Sequence, residues 1–113
     1  ITGITMDRTM QIGRNLHLIH PGHIFLAPKA TFGDNCGIMH GVTVGTVNDR
    51  EGTPQIGNDV FIGVGACILG NVKIGDGARI GANSVVLKDV PAGATAFGVP
   101  ARIYRVRPVS KEE

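Results

Sequence analysis

The chain has 113 residues, a length that suits one domain of ordinary size. Its 11 Lys and Arg against 9 Asp and Glu give a formal net charge of +2, which argues against a nucleic-acid binder that depends on a basic surface. The abundance of Ile, Val and Gly excludes a helical bundle, because these residues favour strands and turns.

No run of about 18 apolar residues occurs, and no basic segment followed by an apolar one opens the chain. We therefore expect no membrane span and no signal peptide, and we predict a cytoplasmic protein. The scarcity of aromatic residues also argues against an RNA-binding platform. Because the first residue is Ile1 rather than Met, we expect that a further segment precedes it.

The first half of the chain repeats a pattern of six residues, each unit opening with a large apolar residue. One interruption adds two residues, Ile24 and Phe25. The hexads begin at Ile12, Leu18, Leu26, Phe32, Ile38 and Val44.

The repeat is broken between Val44 and Ile56, where the interval is one hexad longer than the pattern requires. A second hexad here would place Arg50 inside the core, and burial of an unpaired charge is costly. We therefore predict that residues 46–54 leave the coil as an exposed loop. Such a loop is either a tolerated insertion or a functional element.

Six hexads then follow without a break from Ile56 to Pro91, each opening with Ile or Val. A period of six fits neither a helix nor a lone strand, but it fits a three-sided coil of 18 residues, a parallel β-solenoid. First-position side chains should point inward. The fourth positions hold residues that tolerate a left-handed backbone: Asp59, Gly65, Asn71, Gly77, Asn83 and Asp89.

We predict one all-β domain over residues 1–113. It comprises about four coils over residues 6–91, the loop over 46–54, and a C-terminal cap and tail over 92–113. Because the prism has open ends and a thin core, its faces should be buried against further copies. A symmetric homo-oligomer, most simply a homotrimer, is expected.

The two cysteines, Cys36 and Cys67, form no CxxC pattern. We predict that both occupy inward-facing fifth positions as free thiols. A disulfide, a metal site or a cysteine nucleophile is therefore not expected.

The four histidines, His17, His20, His23 and His40, all precede the loop. His20 and His40 occupy third hexad positions and should stack near one corner on successive coils. A single histidine there is simply solvated, but two beside a long loop favour a functional site. Histidine can accept a proton from a hydroxyl at neutral pH, so His20 is a candidate general base, and Asp7 is a candidate to orient it.

A metal site is the other interpretation of stacked histidines, and it requires three ligands. His17 and His23 lie three residues on either side of His20. All three cannot easily converge on one ion.

The stretches LHLIHPGH and GIMHGVTVG, the central hexads and the terminal GVPARI resemble the hexapeptide-repeat acyltransferases, most closely their serine-acetyltransferase-like branch. The resemblance covers nearly the whole chain. It implies a left-handed parallel β-helix and a homotrimer with active sites at the subunit boundaries. It also implies acetyl-CoA as co-substrate, bound between neighbours, with no metal.

His20 matches the catalytic histidine of this family. His40 stands where relatives often carry Gln, which implies a contact with the acceptor substrate. For the cofactor, the resemblance implies a pantetheine groove and cations for the nucleotide phosphates, formed by Thr46, Val64, Ala82, Lys88 and Arg102.

The chain departs from serine acetyltransferases at Ile19, where they place Asp, and at residues 52–54, where they carry Arg-His-Pro. The aspartate that they pair with the histidine falls at about Thr5. We therefore expect a hydroxyl of a sugar, nucleotide sugar or polysaccharide as acceptor, ahead of serine. Because the chain ends in Glu113 rather than Ile, no complex with cysteine synthase is expected.

The predicted reaction is direct transfer of the acetyl group, with His20 as base and a backbone amide near the loop stabilising the oxyanion. Two alternatives remain. A γ-class carbonic anhydrase-like protein would hold a metal on histidines of a similar β-helix, and a structural trimer would have no catalysis.

Overall fold

The computed structural model describes residues 4–5, 11–19, 23–46 and 52–106. In these ranges the chain forms short strands joined by turns, arranged in three sheets that make the three sides of a prism. No helix in this part of the chain is long and apolar enough to cross a membrane.

Each sheet collects every third strand along the chain. Sheet 1 contains β1 (Ile4–Thr5), β4 (Ile24–Leu26), β7 (Thr43–Gly45), β10 (Cys67–Leu69) and β13 (Val85–Val86). Sheet 2 contains β2 (Gln11–Ile12), β5 (Thr31–Phe32), β8 (Gln55–Ile56) and β11 (Lys73–Ile74). Sheet 3 contains β3 (His17–Ile19), β6 (Gly37–Met39), β9 (Phe61–Ile62), β12 (Arg79–Ile80), β14 (Ala94–Gly98) and β15 (Ala101–Val106).

Neighbouring strands in each sheet are parallel, except that β15 runs antiparallel to β14. The strands β1 to β12 make four three-sided coils, as the repeat predicts. A fifth turn consists of β13, a single bridge from Ile74 to Val90, and β14.

The length of each coil follows from the residues that meet at the corner between sheets 2 and 3. Asn58 and Asp76 are 18 residues apart, the length of three hexads. Asp34 and Asn58 are 24 apart, because the interval before Ile56 adds one hexad. Arg14 and Asp34 are 20 apart, which accounts for the two residues that interrupt the early repeat.

The interior of the prism is lined by the first and fifth residues of the hexads. First-position side chains such as Ile38, Ile62 and Ile80 are completely or almost completely buried. The fifth positions hold smaller residues such as Ala66 and Ala78, because the corners leave less room. The prediction that first-position residues point inward is therefore confirmed.

Four of the six fourth-position residues adopt the left-handed backbone that their residue types tolerate. Asp59, Gly65, Gly77 and Asn83 have φ between 57° and 73°. Asn71 and Asp89 are not among the left-handed residues. At the corner near Asn71, the preceding Gly70 takes the positive φ, at 91°.

The predicted boundaries of the coils need correction at both ends. The first side begins at β1, before residue 6, because Ile4 pairs with Ile24. At the other end the coil continues beyond Pro91, since β14 extends sheet 3 in parallel with β12. Ala94 and Ala96 are buried there, but they are small and do not open recognisable hexads.

A ladder of side-chain acceptors joins successive coils at the corner between sheets 2 and 3. Asp34 Oδ1 accepts a hydrogen bond from Arg14 N at 2.7 Å, and Asn58 Oδ1 accepts one from Asp34 N at 2.7 Å. Asp76 Oδ1 accepts one from Asn58 N at the same distance. A Cβ atom on Gly33 would lie 2.2 Å from Asn58 Oδ1, so this corner requires glycine.

Asp34 is one of two carboxylates in this ladder, and it is the one that lies beside Arg14. The backbone N–H of Arg14, followed by its guanidinium at 3.3 Å, holds the pKa of Asp34 below its usual range. Because the folded pKa is lower than the unfolded one, this group stabilises the fold above the ordinary value of 3.8. That stabilisation is lost as the pH falls through the lower folded value.

We predict that Asp34→Asn removes this pH dependence without breaking the ladder, since Asn58 makes the same backbone contact with an amide oxygen. Urea midpoints of the two proteins should differ by a constant amount above about pH 5 and approach one another below 3.8. Parallel curves over the whole range would contradict the role assigned to the Asp34 carboxylate.

Candidate functional site

Three of the predicted site residues lie in one column along the edge between sheets 3 and 1. His40, Val64 and Ala82 each follow a strand of sheet 3 at the same hexad position. Gly65 N donates to His40 O at 3.0 Å, and Asn83 N donates to Val64 O at 2.7 Å. Successive members are therefore about 4.8 Å apart, the spacing of neighbouring strands. We call His40, Val64 and Ala82 the histidine edge.

The side chains of the histidine edge become smaller from coil to coil. His40 and Val64 are half-buried, and Ala82 is exposed. An imidazole at one end therefore leads onto a shallow surface that an extended ligand can approach.

The proposed base His20 and its proposed partner Asp7 lie outside the described residues. The strand before His20 is described, and its last residue, Ile19, pairs with Met39. Met39 directly precedes His40. The stacking of His20 on His40 stays a prediction.

Two other predicted residues, Thr46 and Lys88, lie on a different edge, between sheets 1 and 2. Thr46 is the first residue after β7, and Lys88 is the second residue after β13. Both are exposed. The width of sheet 1 therefore separates them from the histidine edge within one prism.

Lys88 and Arg102 meet at the C-terminal end of the prism. Sheet 3 continues for one strand beyond sheet 1, which leaves a step between β13 and β15. A cavity of about 400 Å³ at this step is lined by Leu87, Lys88, Pro100, Ala101 and Arg102. Two exposed cations thus share one cavity, which suits a phosphate group.

The outer face of sheet 1, between the two edges, is apolar. Phe25, Leu69 and Leu87 project from it, and Phe25 and Leu87 are 39% and 49% exposed. A Cβ on Gly45 would lie 3.7 Å from Leu69 and 3.9 Å from Phe25, so these side chains form a contiguous patch. We call Phe25, Gly45, Leu69 and Leu87 the apolar face.

The end of the predicted loop is held firmly to the coil, which the sequence does not reveal. Thr53 Oγ1 donates to Lys29 O at 3.0 Å. Pro54 is buried, so the prediction that the exposed loop extends to residue 54 is wrong at this position. Gly52, with φ of 102°, packs against Asn71. Lys29, whose carbonyl accepts the hydrogen bond from Thr53, takes a left-handed φ of 70°.

The two cysteines occupy different environments. Cys36 is fully buried and its Sγ lies 3.1 Å from Gly57 O. Cys67 was wrongly predicted to point inward. It occupies the sixth position of its hexad, which projects from the outer face of sheet 1, and it is half-buried. Both thiols are free.

Within the described ranges, no group of three or more His, Cys, Asp or Glu residues lies close enough to hold a metal ion.

Comparison with known proteins agrees with the repeat. Residues 53–88 match the family model described as bacterial transferase hexapeptide (six repeats). The chain is a hexapeptide-repeat β-helix that resembles serine acetyltransferases. The recognition made from its sequence is therefore confirmed.

Among sequence relatives, the hexapeptide-repeat chain is 40% identical to the serine acetyltransferase of Synechococcus elongatus over 93% of its own length and 44% of the relative. It is 42% identical to that of Helicobacter pylori, over 90% of its length and 61% of the relative. The chain thus spans about half the length of the curated relatives it matches.

Solved structures give the same result. The serine acetyltransferase of Neisseria gonorrhoeae superposes with a TM-score of 0.89 at 39% identity, over 96% of this chain and 42% of that one. The coenzyme A complex of the Brucella abortus enzyme gives 0.85 at 40% identity, over 90% and 42%. The expected left-handed parallel β-helix is confirmed.

We predict that the thiol of Cys36 is inert in the folded protein, because burial raises its pKa. In a Cys67→Ser variant, a thiol reagent at neutral pH should label Cys36 only after unfolding in guanidinium. The same variant unfolded in guanidinium is the matched control, in which Cys36 should react at least about tenfold faster than in the folded protein. Rapid labelling of folded Cys67→Ser protein would contradict the burial of Cys36.

Proposed function

We propose that this chain forms the catalytic β-helix of an acetyl-CoA-dependent O-acetyltransferase, which moves an acetyl group to the hydroxyl of a small polar acceptor. The observation that carries this proposal is the histidine edge, where His40 leads onto the small side chains of Val64 and Ala82. The similarity to serine acetyltransferases supports it, as does a related structure that holds coenzyme A.

Serine is the first acceptor to consider. The departures at Ile19 and residues 52–54 favour sugar hydroxyls, but the relatives are named serine acetyltransferases. Two related structures also contain serine. Sugar hydroxyls remain the second candidate, because Thr53 stands where serine acetyltransferases carry His and its hydroxyl is engaged by Lys29 O.

The proposed mechanism is direct transfer without a covalent enzyme intermediate. His20 removes the proton from the acceptor hydroxyl, and the oxygen attacks the thioester carbonyl carbon. The C–S bond then breaks, and the departing thiolate of CoA receives the proton from His20. Asp7 orients His20, and His40 contacts the acceptor. A backbone amide near the loop stabilises the oxyanion.

The position of His20 in this proposal rests on the register of the neighbouring strands. Ile19 pairs with Met39, and from the shared hexad position we expect His20 and His40 to occupy equivalent places on successive coils. His20 and His40 would then act on one substrate.

We propose that the site is completed in a homotrimer. Thr46 and Lys88 lie across sheet 1 from the histidine edge, so a single prism cannot bring the two edges together. Contact through the apolar face would set the histidine edge of one copy beside Thr46 and Lys88 of its neighbour. Burial of Phe25 and Leu87 would provide the hydrophobic stabilisation.

Within this assembly, Val64 and Ala82 form the floor for the pantetheine arm. Lys88 and Arg102 bind the phosphates of the nucleotide, since they share the terminal cavity.

We predict that the purified protein releases thiol from acetyl-CoA in the presence of serine. The panel of acceptors should include sugars, nucleotide sugars and glycans.

His20→Ala should lower the rate by about 10² to 10⁴, the usual contribution of a general base. CoA binding by calorimetry should be unchanged. His17→Ala, an exposed histidine of β3, is the matched control.

Retained turnover in His20→Ala would exclude His20 as the base. No CoA binding by the wild type would contradict the proposed function. In that case, bound metal found on elemental analysis would favour the carbonic anhydrase-like alternative, and its absence a structural trimer.

We further predict that Lys88→Ala and Arg102→Ala each raise the KM for acetyl-CoA about tenfold, because a charge-assisted hydrogen bond to phosphate is lost. The kcat should change little, since neither residue contacts the reacting carbonyl. Lys73→Ala, an exposed lysine on sheet 2, is the control. An unchanged KM in both variants would remove these cations from the nucleotide site.

A further inference from the structure

The outer surface of the β14–β15 hairpin carries two exposed aromatic side chains in contact. Phe97 is 44% exposed and Tyr104 is 63% exposed. Their ring centroids lie 4.0 Å apart with planes at 70°, an edge-to-face arrangement. In an edge-to-face pair, each ring leaves at least one face uncovered by its partner. Few aromatic residues occur in this chain, so their pairing at an exposed place requires an explanation.

Phe97 lies directly above Gly81, the residue next to the upper end of the histidine edge. A Cβ on Gly81 would come within 2.6 Å of Phe97 Cβ and 3.3 Å of its ring atom Cδ2, so the ring lies against bare backbone. The next residue after Gly81 is Ala82, the last member of the histidine edge. The aromatic pair therefore continues the same surface upward by one coil.

A cation adjoins this pair on the same face. Arg102 pairs with Phe97 across the two antiparallel strands, and directly paired residues project from the same side of a sheet. Arg102 also lines the terminal cavity with Lys88. The two aromatic rings and Arg102 thus lie together beside the end of the histidine edge, and the terminal cavity extends from Arg102 across the end of sheet 1 to Lys88.

The distance along the prism fits a long ligand. Three coils separate His40 from Phe97, about 14 Å at the strand spacing of about 4.8 Å. A thioester at His40 would therefore place the far end of an extended pantetheine arm near the hairpin.

We propose that Phe97 and Tyr104 form a stacking platform for the adenine ring of acetyl-CoA. This proposal rests on the proposed acetyltransferase function and adds that the protein distinguishes acetyl-CoA from thioesters that lack the nucleoside. A purine presents a flat π surface that stacks on an aromatic ring, and Arg102 adds a cation beside it. Because the platform contacts only the nucleoside, it favours CoA over thioesters that end at the phosphopantetheine.

The test compares the KM of acetyl-CoA with that of acetyl-phosphopantetheine, which lacks the nucleoside. Phe97→Leu should raise the KM for acetyl-CoA about tenfold, within the range found when a stacking ring is removed. It should leave kcat and the KM for acetyl-phosphopantetheine unchanged. Phe97→Tyr, which keeps the ring, should restore the wild-type KM.

Val99→Ala is the matched control, because Val99 is an exposed apolar residue of the same hairpin and is not part of the platform. It should behave as the wild type with both thioesters.

An equal change in both KM values for Phe97→Leu, or no change in either, would overturn the stacking platform while leaving the acetyltransferase proposal intact. Loss of the oligomer in light scattering of Phe97→Leu would also overturn it, since the pair would then be a contact between copies. If the wild type neither binds CoA nor releases thiol, both proposals fail.

Discussion

The whole molecule depends on the stacking of aliphatic side chains inside a narrow prism. Its strands are mostly two or three residues long and could not persist alone. Each is held by backbone hydrogen bonds to the coils before and after it, and by first-position residues such as Ile62 and Ile80 that bury completely or almost completely. The stability of each coil therefore depends on the coils next to it, and a substitution that disrupts one coil also destabilises its neighbours.

This constraint confines chemistry to the edges and the outer faces. First and fifth positions are committed to the interior, so a polar group can vary only where the chain turns or projects outward. At the corner between sheets 2 and 3 these polar groups have a structural role, because Asp34 and Asn58 accept hydrogen bonds that join successive coils. At the histidine edge the equivalent hexad position holds His40 and Ala82 instead of ladder acceptors.

The fold could be predicted from the sequence because each hexad repeats the same pattern of inward-facing and outward-facing residues. The positions of individual side chains and of the last strands depend on contacts between coils. Cys67 was misplaced because fifth and sixth positions differ by one residue yet face opposite ways. β14 was missed because Ala94 and Ala96 do not look like hexad openings. The alignment of His40, Val64 and Ala82 can be predicted from their shared hexad position. Their separation from Lys88 is known only once each strand is assigned to one of the three sheets. No local pattern predicts that Phe97 and Tyr104 meet, since their contact depends on a hairpin with an irregular register.

The reversal of chain direction at β15 also limits how far the repeat can extend. A parallel coil presents, at its end, the same unpaired row of amides and carbonyls to which the next coil was added. Left uncovered, that row would accept a coil from another molecule, and growth could continue without end as in a cross-β fibre. β15 occupies this position on sheet 3 with opposite polarity, so a further parallel coil no longer finds its matching template. The β14–β15 hairpin thus ends the β-helix at a fixed length and prevents the addition of coils from other molecules.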